Sequence, residues 1–174
     1  MLLNYLNLEK NIRELMLEEV NFDIKNDLLY KSKRFSDAGI IEYSNLLKES
    51  IINGTDESLF NSLNTGGFFI QKETTKDGVV KNIPTTTIST FAEGQFNRFY
   101  MRAICLYAIK ENIEIEFYRA KEVSQPRQES EAKIGQKVKP KELLDALRKA
   151  PGTIDENEGK LIPGPNSGLS IKIV

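Results

Sequence analysis

Apolar residues recur along this chain with two different periods, and the switch between them marks out its organisation. From residue 2 to about residue 20, Leu2, Leu3, Leu6, Ile12, Leu15, Met16 and Val20 fall at three- and four-residue spacings, with Glu9, Lys10, Arg13 and Glu14 elsewhere. That is the signature of a helix with one apolar face. Residues 21–35 are richer in charge and read as a loop with a short helical turn. The helical period returns over 37–52, where Ile40, Ile41, Leu46, Leu47 and Ile51 form the apolar set and Asn53-Gly54 predicts the stop. Thr55 can cap a third, short helix over 56–63, whose first turn carries two acids where the helix dipole favours them.

Beyond Gly66-Gly67 the character changes to β. Residues 68–74 (FFIQKET) and 79–88 (VVKNIPTTTI) flank Lys76-Asp77-Gly78, and Asp-Gly between β-prone runs predicts a hairpin. Pro84 has no N–H to give to a ladder, so the second strand should be short or lie at an edge. Residues 91–112 then return to helix. Thr90-Phe91-Ala92-Glu93 has the form of a capping box, and the second half of the run is apolar almost all round, leaving Gln95, Arg98 and Arg102 as a polar stripe. Such a helix is buried on several sides.

In the run that follows, Ile113, Ile115 and Phe117 alternate with Glu114, Glu116 and Tyr118, which predicts a half-buried strand. Residues 123–138 are polar and hold Pro126, and read as an ordered loop or a short helix around 129–133. Pro140 suits the first position of a helix through Lys149, with Leu143, Leu144 and Leu147 inward. Residues 152–160 are acidic and read as flexible. A Gly/Pro/Asn-rich turn then leads into a last strand over 169–174. The expected fold class is α+β. A helical region, 1–65, whose first helix is either a packing helix of the same chain or a docking arm on a neighbouring subunit, precedes an α+β domain, 66–174. In that domain a small mixed or antiparallel sheet packs on the central buried helix at about 91–111.

Composition narrows the chemistry. A formal charge of -1, 40% hydrophobic and 28% charged residues are the values of an ordinary soluble protein, with no global pull towards nucleic acid or anionic membrane. The absence of histidine removes Ser-His-Asp and Cys-His catalysis and the commonest metal ligand. A single cysteine, Cys105, cannot make an internal disulfide or a thiolate zinc site, and its neighbours Ile104 and Leu106 suit a small buried residue. No apolar run approaches the roughly 20 residues of a membrane span, and the first residues lack the basic segment of a secretory signal.

Four arginines are the candidate ligand-binding residues: Arg98, Arg102, Arg119 and Arg127. Guanidinium groups gathered around one helix–strand unit can clamp a phosphate or carboxylate. The alternative is that Arg98 and Arg102 pair with Glu93, Glu114 or Glu116 and organise the fold. Residues 119–149 hold nine Lys/Arg against five acids, a charge excess suited to a phosphate backbone, although aromatic stacking residues are absent there. Gly164 to Gly168 could turn backbone amides towards an anion or simply form a turn. Glu114 and Glu116 share a strand face, which admits a carboxylate pair but is equally the pattern of an exposed strand.

Three strings, FAEGQFNRFYMRAICLYAI, YRAKEVSQPRQESEAKIG and GPNSGLSIKI, resemble proteins of bacteriophages and prophages that have no assigned activity. The resemblance covers about residues 90–174 and implies a virion component associated with the head or neck. The expectation is therefore a non-enzymatic structural or assembly protein without cofactor or metal. It would reside in the virion or the bacterial cytoplasm, with other protein subunits as partners and no membrane. An anion- or nucleic-acid-binding module built on the four arginines is the alternative.

Overall fold

The computed structural model describes residues 2–150, 161–164 and 166–174. The acidic stretch 152–160 lies outside them. Among the described residues the order is α1 (Lys10–Lys25), α2 (Asp37–Asn53), α3 (Asp56–Thr65), β1 (Lys72–Thr74), β2 (Val80–Asn82), α4 (Thr86–Glu111), β3 (Ile115–Arg119), α5 (Gln128–Lys133), β4 (Lys137–Val138), α6 (Pro140–Lys149) and β5 (Leu169–Ile173). The class is α+β, as the periodicities predict.

Helix α4 is the pillar. Helices α1, α3 and α6 pack directly along it, and β3 and β5 lie against it. Enclosure on so many sides buries polar positions along with apolar ones: Glu93, Gln95, Asn97, Arg98 and Arg102 are all buried, beside Phe96, Phe99, Tyr100 and Ile104. The helix ends at Asn112, whose left-handed conformation (φ 54°) is the usual stop after a last helical turn. It begins at Thr86, earlier than the capping-box pattern at Thr90 suggests. The second hairpin strand correspondingly stops at Asn82 instead of reaching Ile88. The threonine run favours extended chain only weakly. With no neighbouring strand to reward that preference, helix growth back from the turn that packs Ala92 and Phe96 into the core wins.

Helix α1 differs from expectation at its start. Residues 2–9 form an irregular strap, because groups distant in sequence claim their backbone. The Asp56 carboxylate accepts from the Leu2 and Leu3 amides at 2.9 and 2.8 Å, and the Asn4 amide donates to Ala120 O at 2.8 Å. Leu3 and Tyr5 drop into the core. The helix proper then runs on to Lys25, with Ile12, Met16, Glu19, Val20 and Asp23 inward and α4 of the same chain as its packing partner.

The main sheet has the order β4-β3-β5 and is antiparallel throughout, with Phe117 opposite Ile171 and Arg119 opposite Leu169. Tyr118, expected on the solvent face with Glu114 and Glu116, is instead buried under the strap and donates its hydroxyl hydrogen to Asn4 O. The outer edge of β5 is occupied: Asn97 Nδ2 donates to Leu169 O at 3.0 Å, and Asn7 Oδ1 accepts from the Ile173 amide at 3.1 Å. One hydrophobic cluster runs from Leu3 through α1–α4 to Ile171, continuous across residue 65. Among the described residues no helix is long and apolar enough to cross a membrane.

Candidate functional site

The four candidate arginines fall in three environments. Arg102 is fully enclosed. Its Nε donates to Glu19 Oε2 at 2.6 Å, and its two terminal nitrogens bind the Asp23 carboxylate at 2.7 and 2.8 Å. Arg148 of α6 reaches the same Glu19 carboxylate, its Nε at 3.0 Å. Two arginines and two carboxylates thus tie α1, α4 and α6 together. Burial pushes the Glu19 carboxyl up, but the hydrogen bond from Arg148 and the paired charge of Arg102 outweigh it and hold the group below its ordinary value.

The pairing of Arg98 and Arg102 with Glu93, Glu114 or Glu116 is not formed. Glu93 takes Lys121 at 2.6 Å, Glu114 takes Lys137, and Glu116 takes Lys172 at 3.0 Å. The reason lies in direction: Arg102 faces α1, on the side of α4 away from those partners. Arg98, one turn earlier, donates to Leu147 O at 3.0 Å and lines a cavity.

Arg119 and Arg127 lie beside Ser167 and Gly164 respectively. Arg119 donates to Ser167 O and pairs with Glu131 of α5. Arg127 is exposed, and a Cβ built on Gly164 would stand 3.3 Å from its Nη1. The loop that holds Gly164 and Ser167 is a turn. The Ser167 amide donates to Gly164 O at 3.2 Å and the Leu169 amide to Ser167 Oγ at 3.3 Å, so both donors are taken up internally. Gly168 is required by geometry. Its φ is +66°, and a Cβ there would lie 2.3 Å from Lys121 O.

Between the first half of α4 and this loop lies a cavity of about 570 Å³. Tyr30, Phe91, Met101 and Ile162 supply apolar wall, and Glu93, Gln95 and Arg98 supply polar groups. Its charges offset one another, since Glu93 is paired with Lys121. Cys105 is buried away from any opening, and burial pushes its thiol up, which leaves it unreactive at neutral pH. Among the described residues no group of three or more Cys, Asp or Glu could hold a metal ion.

A second feature is exposed instead of enclosed. The β1–β2 hairpin leaves the body between α3 and α4, and Val79 and Val80 are 52% and 62% exposed. Its anchor is Arg34, which grips both oxygens of Glu73 at 2.8 and 2.7 Å. Below that anchor, Phe35 bridges to Phe69 and stacks edge-on against it.

No family model, no curated protein and no solved structure matches the chain.

The residues that sequence reasoning missed are Glu19, Asp23 and Asp56. For the first two a signal existed. Positions 12, 16, 19, 20 and 23 lie on one helical face, so two acids stand in the apolar stripe of α1. An acid in a core stripe calls for a buried cation, and Arg102 stands in the chain's most enclosed helix. Asp56 carried no such signal, because an acid in the first turn of α3 already has a local explanation.

Proposed function

We propose that this chain is a non-enzymatic assembly protein that acts through contacts with other protein subunits, with hairpin β1–β2 as its contact element. The observation that carries the reading is the exposure of that hairpin: β2 is exposed along its length, and β1 at all but Glu73, which Arg34 holds. A two-stranded hairpin standing alone is marginal in water, and an uncovered strand is a template for pairing with another chain. Strand addition by a partner would supply backbone partners to its edges and cover Val79 and Val80. The covered outer edge of β5, by contrast, is not available for this. The phage-like strings of residues 90–174 motivate the finer proposal, a bacteriophage head or neck as the setting.

Replacing residues 75–79 with a Gly/Ser loop should leave the thermal midpoint within a few degrees and abolish assembly, followed by light scattering with and without head and neck proteins. A wild-type protein that stays monomeric at every concentration and binds none of those components would refute the reading. Exposed Arg127 motivates a second reading, anion or nucleic-acid contact over residues 119–149. There, a low-salt oligonucleotide shift should disappear in Arg127→Glu, and a shift that persists unchanged rules it out.

A further inference from the structure

The cavity beside α4 has two wall residues that the fold itself does not explain. The first is Gln95, only 7% exposed. The other buried polar side chains of α4 have partners: Glu93 with Lys121, Asn97 with Leu169 O and the Ser170 hydroxyl, Arg98 with Leu147 O, Arg102 with Glu19 and Asp23. Among the described residues nothing hydrogen-bonds the Gln95 carboxamide, and Gln95 lines the cavity. Nor are its amide atoms sealed in the packing, since the one such orphan among the described residues is the Tyr43 hydroxyl. A donor and an acceptor therefore face the open space, where a buried polar group left unmatched weakens the fold.

The second is Gly94. Glycine weakens a helix interior, and this one has no left-handed backbone to justify it. No atom lies within 4 Å of where its Cβ would sit, so packing does not demand it either. Gly94 is an exposed residue of the cavity lining, where a side chain would stand in open space at the rim.

The remaining wall describes the occupant. The volume of about 570 Å³ falls in the range of small-molecule sites. The rings of Tyr30 and Phe91, 6.1 Å apart, offer flat apolar contact. The charges of Glu93, Lys121 and Arg98 are engaged with protein groups, which leaves the carboxamide as the discriminating contact. We propose that this cavity binds a small uncharged planar heterocycle with adjacent hydrogen-bond donor and acceptor, a nucleobase-type edge. Gln95 pairs with that edge, as glutamine pairs with the N6/N7 edge of adenine. The ring plane lies along the apolar wall, with Gly94 at the rim.

The test uses the full chain and adenosine as probe, read by saturation-transfer NMR and titration calorimetry. Wild type should bind one equivalent. Gln95→Leu should weaken binding at least about tenfold, the equivalent of one good hydrogen bond. Gly94→Leu should abolish it while the helical circular dichroism is retained, and this variant carries the test if Gln95→Leu does not fold. Indole and inorganic phosphate serve as control probes. No adenosine binding to folded wild type overturns the proposal. Indole binding as tightly as adenosine and insensitively to Gln95→Leu overturns it too, since the space is then a plain apolar hole. Phosphate binding in place of adenosine makes it an anion site and likewise overturns it.

Discussion

Removing the Arg102 guanidinium is the sharpest test of how this fold is held. Arg102→Leu keeps apolar bulk in the helix but leaves Glu19 and Asp23, 3% and 2% exposed, with only Arg148 to offset two buried carboxylates. Breaking a buried ion pair from one side destabilises by about 3–5 kcal/mol, because the abandoned charge remains desolvated. With a urea slope of about 2 kcal/mol/M for a domain of this size, the midpoint should fall by roughly 2 M at neutral pH. The effect must also depend on pH. In wild type the Glu19 carboxyl lies below its ordinary value of 4.5, so its contribution is present above 4.5 and is lost as pH falls through the folded-state value. In the variant Arg148 still holds Glu19, but the share that Arg102 supplies is gone, so the Glu19 carboxyl takes up a proton more easily than in wild type. The gap between wild type and Arg102→Leu should therefore narrow as pH drops below about 4.5. Adding Asp23→Leu should recover a large part of the loss, a coupling readable from the double-mutant cycle. A loss under about 1 kcal/mol, or a gap independent of pH, would show that the ion cluster does not hold the three helices as described.

Three further outcomes follow. Asp56→Ala leaves the Leu2 and Leu3 amides and the Tyr5 hydroxyl without their acceptor and should cost about 1–3 kcal/mol, with faster hydrogen exchange confined at first to the strap. Its pH signature runs opposite to that of Glu19: burial raises the Asp56 carboxyl above 3.8, so the stability tied to it is fully present below 3.8 and is lost as pH rises through the folded-state value. Tyr43→Phe removes a fully buried hydroxyl with no hydrogen-bond partner among the described residues, so the thermal midpoint should hold or rise; a loss beyond about 1 kcal/mol contradicts the assignment. Gly168→Ala meets both a φ of +66° and a contact 2.3 Å from Lys121 O, and should lose more than about 2 kcal/mol by chemical denaturation.

What the sequence disclosed was local. The extent of α2, the Pro140 start of α6 and the Asp-Gly turn of the hairpin each rest on residues a few positions apart, and each is where its pattern points. The face of α2 is not: of its expected apolar set only Leu47 and Ile51 are buried and Leu46 is half-buried, while Ile40 and Ile41 are exposed and Tyr43 turns to the core instead. The remaining misses involve distant partners. Leu2, Leu3 and Leu6 carry helical spacing, yet a carboxylate more than 50 residues away takes the first amides and pulls the chain straight. Arg98 and Arg102 were legible as a stripe, but their partners were sought in the adjoining segments, whereas Arg102 turns to α1 and Arg98 to α6. The cavity left one trace in the sequence, a glycine in mid-helix. Gln95 looked like any polar residue of the stripe until its neighbours proved to be paired and it did not.

The Glu19–Arg102–Arg148 cluster also bears on how the chain comes to be folded during its synthesis. Helix α1 is made early, with two acids on the face it will later hide, and the cations that neutralise them follow 83 and 129 residues after Glu19. At a ribosomal pace of 5–20 residues per second, the wait for Arg148 is roughly 6–26 s. Before Arg102 emerges, docking α1 would strip water from carboxylates with no cation to replace it, and until Arg148 follows Glu19 is only partly paired, so the helix stays solvated. The leading part of the chain is thus kept from settling prematurely, and closure comes as one late, cooperative event, triggered by the arrival of charge.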